Sequence, residues 1–303
     1  MRILITGGTG FVGRALVAQC VADGHHCTLL TRGVTEPILV SSQLTHRPWD
    51  PFQPGPWQAA VEGIDAVIHL AGESVAARQW SMAQRMRITQ SRVVSTQLLV
   101  EAIGRAAQPP ATLLCASAIG YYGDGGESWL TEAHAAGDDF LAQVCREWEA
   151  AARAATAWGT RVVSLRIGLV LGPNGGALAR MLPAFRLGLG GRLGPGDQWM
   201  SWIHRDDLIA LLCFALHDAR VHGPVNAVSP SPVRNRDFTQ CLAALLHRPA
   251  VCPLPAPLLR LLLGERAQLL LASQRVSAAH ALALGFQFSQ PELAGALRAC
   301  VIR

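Results

Sequence analysis

The feature that constrains this chain most is a glycine loop between a strand and a helix at the start of the sequence. Residues 2–6 form a short apolar, β-branched run, which predicts a buried parallel strand. A Gly-x-x-Gly-x-x-Gly segment follows directly, from Gly7 to Gly13. Residues 14–22 then carry apolar side chains at helical spacing, and residues 27–31 form a second apolar run. This order predicts the first βαβ unit of a dinucleotide-binding fold.

Each glycine of the loop has its own expected role. Gly7 allows the tight turn, Gly10 lets the backbone approach a pyrophosphate, and Gly13 lets the helix pack closely on the strand. The free amides and positive end of the helix would then bind the phosphates. The cofactor-binding residues predicted in this segment are Gly7, Thr9, Gly10, Phe11, Val12 and Gly13.

The end of the second strand indicates which dinucleotide binds. NAD-specific proteins place an acidic residue there for the ribose 2′-hydroxyl, whereas this chain has Thr31 and Arg32. An arginine at that place would pair with a 2′-phosphate, which favours NADP(H) as the cofactor. The alternative is a solvated arginine at the end of a strand.

Composition limits the class of protein. The chain has 303 residues, of which 50% are hydrophobic and 16% charged, so a compact globular protein with a large core is expected. The formal charge of +5 is scattered without a Lys/Arg run, and we predict no nucleic-acid partner. The leucine-rich segment 258–271 is short and interrupted by charges, so we predict no membrane span.

The cysteines and the N-terminus indicate a compartment. None of the eight cysteines forms a Cys-x-x-Cys pair, and most lie in apolar runs, which favours buried free thiols over disulfides or a metal site. The first residues form a strand without a charged leader or cleavage site. We therefore predict a cytoplasmic protein without a metal.

The remaining segments predict the topology. Alternating apolar and helical segments give further strands at 44–47, 65–72, 112–117 and 161–166, and helices at 82–107 and 138–158, with a loop at 119–137. Crossovers of this length imply a doubly wound parallel sheet, which is an α/β fold of Rossmann type. After residue 166 the chain becomes glycine-rich and mostly helical, at 235–246, 256–273 and 291–300, with one returning strand at 226–229. We expect a cofactor domain at 1–166, to which later segments return, and a smaller mixed C-terminal substrate lobe at 167–303.

Several motifs along the chain resemble a known superfamily. They are Asp-Ala-Val-Ile-His-Leu-Ala-Gly at 65–72, Ser-Ala-Ile-Gly-Tyr-Tyr-Gly-Asp at 117–124, Arg-Ile-Gly-Leu-Val-Leu-Gly-Pro at 166–173 and Trp-Ile-His-Arg-Asp-Asp at 202–207. Together with the glycine loop they resemble the extended short-chain dehydrogenases/reductases, and most closely an NAD(P)-dependent epimerase/dehydratase-like subgroup. The resemblance covers nearly the whole chain.

The resemblance implies further residues around the cofactor. Leu70 and Ala71 would pass under the adenine or ribose by backbone contacts, and Glu73 would lie near the cleft. Arg92 would reach the cofactor phosphates, with a solvated helix face as the alternative. The cofactor-binding residues added on this basis are Leu70, Ala71, Gly72, Glu73, Arg92, Ala116 and Arg166. Three side chains are expected to serve packing or the surface instead: His69, Trp148 and Glu149.

The catalytic half of the family pattern is missing. The resemblance implies a Tyr-x-x-x-Lys pair at the start of the helix after residue 137, where this chain has Phe140 and Val144. Neither side chain can transfer a proton. Tyr121 and Tyr122, together with Ser117, are the best remaining candidates for catalysis, because their loop should face the nicotinamide.

Two functions follow from this division. The first is an NADP(H)-dependent oxidoreductase or epimerase with a displaced acid/base, acting on a small carbonyl or hydroxyl substrate that the sequence does not name. The second is a non-catalytic NADP(H)-binding sensor or regulatory protein. The sequence leaves both hypotheses and the oligomeric state open.

Overall fold

The computed structural model describes residues 1–33 and 41–301. In chain order its strands are β1 (Arg2–Thr6), β2 (His26–Thr31), β3 (Leu44–Pro48), β4 (Ala66–His69), β5 (Thr112–Ala118), β6 (Trp129–Leu130), β7 (Arg161–Ile167), β8 (Leu169–Leu171), β9 (Trp199–Met200), β10 (Trp202–His204), β11 (Gly223–Ala227), β12 (Val233–Arg234) and β13 (Arg275–Val276). Its α-helices are α1 (Phe11–Ala22), α2 (Met82–Gln90), α3 (Val93–Arg105), α4 (Phe140–Arg153), α5 (Gly176–Arg186), α6 (Arg205–His217), α7 (Asn235–Leu245), α8 (Ala256–Leu263), α9 (Gln268–Leu271), α10 (Ala279–Ala283) and α11 (Leu293–Val301). Short 3-10 helices lie at Pro56–Val61, Ile119–Tyr122, Ala154–Trp158 and Gly264–Ala267.

Seven parallel strands form the central sheet in the order β11-β7-β5-β4-β1-β2-β3. The predicted neighbours β1 and β4 pair directly, with Ile3 opposite Ala66. The short strand predicted at residue 44 is present as β3 and pairs with β2. The preceding part of that connection, residues 34–40, lies outside the described residues. The predicted α/β fold with a Rossmann-type parallel sheet is therefore confirmed.

Helices cover both faces of this sheet, which explains why its strands are almost wholly apolar. On one face α1 and α6 pack against the strands through residues such as Leu16 and Leu212. On the other face α3 and α4 do so through residues such as Leu99 and Trp148. The strand β11 and the helix α6 both come from beyond residue 166, so later segments of the chain contribute to this sheet and to its cover.

The single helix predicted at 82–107 is wrong, because the chain breaks it between α2 and α3. The Ser91 hydroxyl donates to the Ile88 carbonyl and accepts the backbone N–H of Glu73. Such back-bonding by a serine disturbs the helical hydrogen-bond ladder. Arg92 accordingly donates its N–H three residues back, to Thr89, before α3 begins at Val93. At this break the hydrogen bond from Glu73 to Ser91 connects the two helices to the loop that follows β4.

Three other predicted segments are divided into shorter elements in the structure. The predicted loop 119–137 contains a 3-10 turn and the two-residue strand β6. The predicted helix 256–273 is divided into α8, a 3-10 turn and α9, because Gly264 adopts a left-handed φ of +58° that ends α8. The helix predicted at 138–158 is α4 followed by a 3-10 turn.

The C-terminal lobe has its own apolar core, formed by α5, α7 and α11 around residues such as Trp202 and Phe238. Three two-stranded pairs, β8–β10, β9–β12 and β6–β13, lie outside the central sheet, and the last of them joins a segment before residue 166 to one in this lobe. Within residues 1–33 and 41–301, no helix combines the length and apolar character that crossing a membrane requires.

Candidate functional site

The glycine loop after β1 is so tightly closed that two of its positions admit no side chain. Gly7 has a φ of +71°, and a Cβ added there would lie 2.7 Å from the backbone carbonyl carbon of Leu70. A Cβ added at Gly13 would lie 2.1 Å from the Gly7 carbonyl oxygen. At Gly10 an added Cβ would meet only that same oxygen, at 3.3 Å. Gly7 and Gly13 are therefore needed for the loop itself, whereas the space beside Gly10 is open.

The N-terminus of α1 is suited to an anion. The helix begins at Phe11, its capping residue Gly10 supplies no side-chain hydrogen bond, and its first turn carries no acidic residue. The first amides of a helix have no intrahelical acceptor, and here no side chain or carboxylate replaces one. These residues fit the pyrophosphate of a dinucleotide. The pyrophosphate would lie at Gly10 to Val12, the residues predicted to bind it.

A buried histidine fixes the neighbouring strand end. His69 accepts the Thr6 hydroxyl at Nδ1 (2.6 Å) and lies 3.3 Å from the Ser95 hydroxyl at Nε2. The Thr6 oxygen also accepts the backbone N–H of Ala71 at 3.3 Å. Burial, followed by the charge of Arg92, lowers the pKa of His69 to about 4, so the ring is neutral. His69 thus joins β1 to β4 beside the loop, as a packed core residue.

These elements enclose a cleft of about 460 Å³ at the carboxyl ends of β1, β2 and β4. It is the position at which ligands bind in doubly wound sheets. Nine of the predicted cofactor-binding residues line it, namely Gly7, Thr9, Gly10, Thr31, Arg32, Leu70, Ala71, Gly72 and Glu73. The lining residues that the sequence did not indicate are Leu30, Trp49, Pro51, Phe52, Arg78 and Ser91, and Arg87 was expected to be solvated.

Three arginines are among the residues that line this cleft. Arg32, Arg78 and Arg87 all line it, and all three are exposed. Among the described residues, none of them has a carboxylate within 4.0 Å. Three cations without a fixed counterion form a site of strong positive potential, and guanidinium groups bind phosphate in a bidentate manner. The cleft can therefore hold a phosphate at the end of β2 in addition to a pyrophosphate at α1.

Several predicted cofactor residues lie behind the cleft wall. The Phe11 ring packs against the turn at residues 172–176, where a Cβ on Gly175 would come within 2.3 Å of it. The Arg92 guanidinium lies behind Gly72, stacks on Trp148 at 5.2 Å and donates to the Ile88 carbonyl. Val12 and Gly13 belong to α1, and Ala116 is buried within β5. Their backbone or charge can act on the cleft, but their side chains do not line it.

The candidate catalytic residues Ser117 and Tyr122 belong to a buried polar network centred on Arg166. The Ser117 hydroxyl donates to Glu149 at 2.7 Å. The Tyr122 hydroxyl donates to the Asn226 side chain at 2.6 Å and accepts from Arg166 at 3.0 Å. Burial raises the pKa of Tyr122 to about 12, although Arg166 opposes this shift. Both hydroxyls are thus engaged, and Tyr122 is a weak proton donor.

Glu149 is the partner that holds this network together, and its expected place on the surface was wrong. Its carboxylate accepts Arg166 Nε and Nη2, both at 2.9 Å, and only 13% of its side chain is exposed. Burial alone would lower the pKa of Arg166, but the hydrogen bonds and charge of Glu149 raise it. A signal was present in the sequence, because Glu149 lies four residues after Cys145 and three before Ala152, on the buried face of α4. Arg166 therefore balances Glu149 and does not line the cleft.

Tyr121 is the remaining candidate. Its ring stacks on the Arg166 guanidinium, with 3.5 Å between Cζ and the ring centroid, and its hydroxyl has no hydrogen bond among the described residues. The positions of the family Tyr and Lys are filled by apolar packing, since Phe140 and Val144 belong to a cluster with Trp80 and Ile88. Nothing at those two positions can replace a proton donor.

Two side chains of the motif at 202–207 have structural contacts. Trp202 is buried in the core of the C-terminal lobe and donates to the Ser231 carbonyl. His204 caps α6 by accepting the Asp206 N–H, a role that Asp206 itself was expected to fill. Among residues 1–33 and 41–301, no three His, Cys, Asp or Glu side chains are grouped as a metal site would require.

Comparison with known proteins gives a consistent picture. A model described as the NAD dependent epimerase/dehydratase family matches residues 3–227, and one described as a domain of unknown function (DUF1731) matches residues 254–300. The chloroplastic Epimerase family protein SDR39U1 homolog of Arabidopsis thaliana is 40% identical over 99% of this chain and 86% of its own. The crystal structure of human epimerase family protein SDR39U1 (isoform 2) with NADPH is 39% identical, with a TM-score of 0.88 over 98% of each chain. The UDP-glucose 4-epimerase of Thermus thermophilus, solved with NAD, is 19% identical over 99% of this chain and 98% of that one, with a TM-score of 0.78, a likeness of fold alone.

Proposed function

The chain belongs to the NAD dependent epimerase/dehydratase family and has its Rossmann-type NAD(P)-binding fold, and we propose that it is an NADP(H)-dependent oxidoreductase or epimerase. The observation that carries the choice of NADP(H) is the meeting of Arg32, Arg78 and Arg87 in one cleft without a carboxylate partner among the described residues. A ribose 2′-phosphate supplies the anion that this arrangement lacks. The human relative solved with NADPH supports the proposal.

The nicotinamide supplies or accepts a hydride when the cofactor is bound. The first amides of α1 would hold the pyrophosphate, and Arg32, with Arg78 and Arg87 in the same cleft, would hold the 2′-phosphate. Leu70 and Ala71 form the floor of the cleft through the backbone that Gly7 approaches. A small carbonyl or hydroxyl compound would react between this cleft and the C-terminal lobe.

Tyr121 is the proton donor that this proposal assigns. It lies on the 3-10 turn that follows β5, at the carboxyl edge of the sheet where ligands bind. Its hydroxyl is unengaged among the described residues, whereas those of Ser117 and Tyr122 are held in the Arg166 network. The Arg166 guanidinium lies on the face of its ring and holds the ring in position.

The second candidate function is a non-catalytic NADP(H) sensor. The observation in its favour is that the usual acid/base positions are occupied by the packed side chains Phe140 and Val144, while Ser117 and Tyr122 are consumed by a buried network. In that case the same cleft would bind the cofactor, and the C-terminal lobe would report its presence to a partner.

The two functions are separated by turnover. Purified protein would be incubated with NADPH and a panel of aldehydes, ketones and keto-sugars, and the loss of absorbance at 340 nm would be followed. The enzyme proposal predicts consumption with at least one compound, and a loss of roughly 10²-fold in turnover for Tyr121→Phe at unchanged NADPH affinity. Glu101→Gln, on the exposed face of α3, is the matched control. Binding of NADPH without consumption of any compound would favour the sensor.

We also propose that the protein is located in the cytoplasm. The eight cysteines form no disulfide, which fits the cytoplasm. The Arabidopsis relative is chloroplastic. The cytoplasmic location would therefore be tested by fractionation of cells that produce the tagged full chain.

A further inference from the structure

Two tryptophans and two arginines form a layered stack on the C-terminal lobe, away from the cofactor cleft. The Arg275 guanidinium lies between the rings of Trp129 and Trp199, with 4.1 Å and 4.3 Å from Cζ to the two ring centroids. Arg234 stacks on Trp199 as well, at 4.1 Å. Two short strand pairs build the stack, because Trp129 is paired with Arg275 across β6–β13 and Trp199 with Arg234 across β9–β12.

One of the two arginines in the stack has an anionic partner. Glu127 accepts Arg234 Nη1 at 2.7 Å and Nη2 at 2.6 Å, and it accepts the indole N–H of Trp199 at 3.1 Å. Hydrogen bonds from Arg234 and then Trp199 lower the pKa of Glu127 to about 2, so it is ionised. Both of its oxygens are thereby used in hydrogen bonds to Arg234 and Trp199, and the charge of Arg275 acts on Glu127 only from a greater distance.

The other arginine, Arg275, is unmatched. Its guanidinium contacts two indole rings, and its Nε is buried without an acceptor. Among the residues that the structure describes, no carboxylate lies within 4.0 Å of it, and none of its other nitrogens makes a hydrogen bond. A buried N–H without an acceptor is costly and uncommon in native proteins, so it calls for a partner that is not part of the chain.

The strand alternation shows on which side this partner would arrive. Leu130 and Val276, which pair beside Trp129 and Arg275, face the cluster around Tyr122. Trp129 and Arg275 therefore face the opposite way, and 45% of Trp129 is exposed. Gln274, the residue before Arg275, donates to the carbonyls of Ile119 and Gly123, which fixes the strand to the turn that carries Tyr121. The strand that carries Arg275 is thus fixed in place, and the two Nη nitrogens of its guanidinium, unlike Nε, are not buried.

We propose that Arg275 forms an oxyanion-binding site, with Trp129 and Trp199 as its walls, for the carboxylate or phosphate of a small molecule. Such groups match the two in-plane Nη donors of a guanidinium in a bidentate manner, and in Arg275 these are the nitrogens that are not buried. The neighbouring Arg234 shows the same chemistry satisfied by Glu127. The inference rests on this stack alone and does not depend on the proposed cofactor or reaction.

The test is a titration of the arginine side-chain signals by nuclear magnetic resonance. In ¹⁵N-labelled full-length protein, the Nε–H signal of Arg275 is assigned by its loss in Arg275→Lys, and that of Arg234 by its loss in Arg234→Lys. Propionate and inorganic phosphate are added separately at constant ionic strength, with chloride as the reference salt. The proposal predicts a saturable shift of the Arg275 signal with one or both probes, and a much smaller shift of the Arg234 signal.

The outcomes separate the sources of the anion. Saturation with propionate alone assigns a carboxylate site, saturation with phosphate alone assigns a phosphate site, and saturation with both assigns a general oxyanion site. In Arg275→Lys, the affinity followed by tryptophan fluorescence should fall roughly tenfold, while NADPH binding, which verifies the fold, stays unchanged. The same response to chloride as to both probes would overturn the proposal, because the shift would then report ionic strength and not the binding of an oxyanion.

Discussion

Replacing Glu149 by alanine is predicted to destabilise the protein severely. The side chains of Arg166 and Glu149 are only 3% and 13% exposed, and they share two hydrogen bonds of 2.9 Å. Removing the carboxylate leaves a buried guanidinium whose remaining acceptors are the Tyr122 hydroxyl and the Glu132 carbonyl. Breaking a buried ion pair from one side costs about 3–5 kcal/mol. Ser117 would lose its acceptor as well, which adds to the loss.

Two further variants test whether the loss of stability comes from the buried ion pair. Glu149→Gln keeps an acceptor for Arg166 Nε and Ser117 but loses the charge, so we expect a smaller loss of about 1.5–3 kcal/mol. Glu101→Gln breaks an exposed pair with Arg105, whose side chains are 52% and 66% exposed, and should cost about 0–1 kcal/mol.

The assay is urea unfolding followed by tryptophan fluorescence, with the midpoint and slope fitted for wild type and the three variants. A loss below about 1 kcal/mol in Glu149→Ala at an unchanged slope would refute the reasoning, because it would mean that Arg166 finds water or another acceptor when its partner is gone. Equal losses for Glu149→Gln and Glu149→Ala would show that charge, and not the remaining hydrogen bonds, accounts for the whole effect.

Two further predictions concern the cofactor cleft and its support. Gly10→Leu should fold, because an added Cβ meets only the Gly7 carbonyl at 3.3 Å, but it should abolish NADPH binding by blocking the approach of the cofactor to the backbone. Binding would be measured by calorimetry, and the control Gly55→Ala, whose added Cβ makes ordinary contacts, should bind like wild type. NADPH binding by Gly10→Leu would show that the loop does not bind the phosphates. The lowered pKa of His69 means that the unfolded state binds a proton first, so stability should fall by about 3 kcal/mol as the pH drops from 6.5 to 4. His69→Gln should lack this part of the pH dependence in urea titrations, and parallel wild-type and variant curves would contradict it.

The central sheet could be read from the sequence because its signals are local. Runs such as residues 2–6 and 112–117 are mostly apolar, and the glycine spacing between strand and helix is itself a local pattern. The glycine at 13, for example, touches the loop six residues earlier. The break between α2 and α3 was missed because it depends on a hydrogen bond from Glu73 to Ser91, which no periodicity reveals.

The residues of the cleft could be predicted only in part, because some of them come together through contacts that are distant in the sequence. Arg32 follows directly from its place at the end of β2, whereas Arg78 and Arg87 join it through the fold of the segment between β4 and α3. The Arg275 stack is drawn from residues 129, 199 and 275, which are distant in the chain, so sequence patterns gave no sign of it. Glu149 was detectable in principle, as a charge on an apolar helix face.

The measurement that tests the central claim most directly is the affinity for NADPH and NADH, determined by calorimetry for wild type, Arg32→Ala and the control Arg85→Ala. The control removes an arginine of α2 that pairs with Glu265 and does not line the cleft. Loss of a charge-assisted hydrogen bond to the 2′-phosphate corresponds to roughly 1.5–3 kcal/mol, or about 10- to 150-fold. The account predicts that wild type prefers NADPH, and that Arg32→Ala loses NADPH affinity by this factor while NADH affinity is unchanged. Equal affinities of the wild type for both cofactors, or equal losses for both in Arg32→Ala, would contradict it.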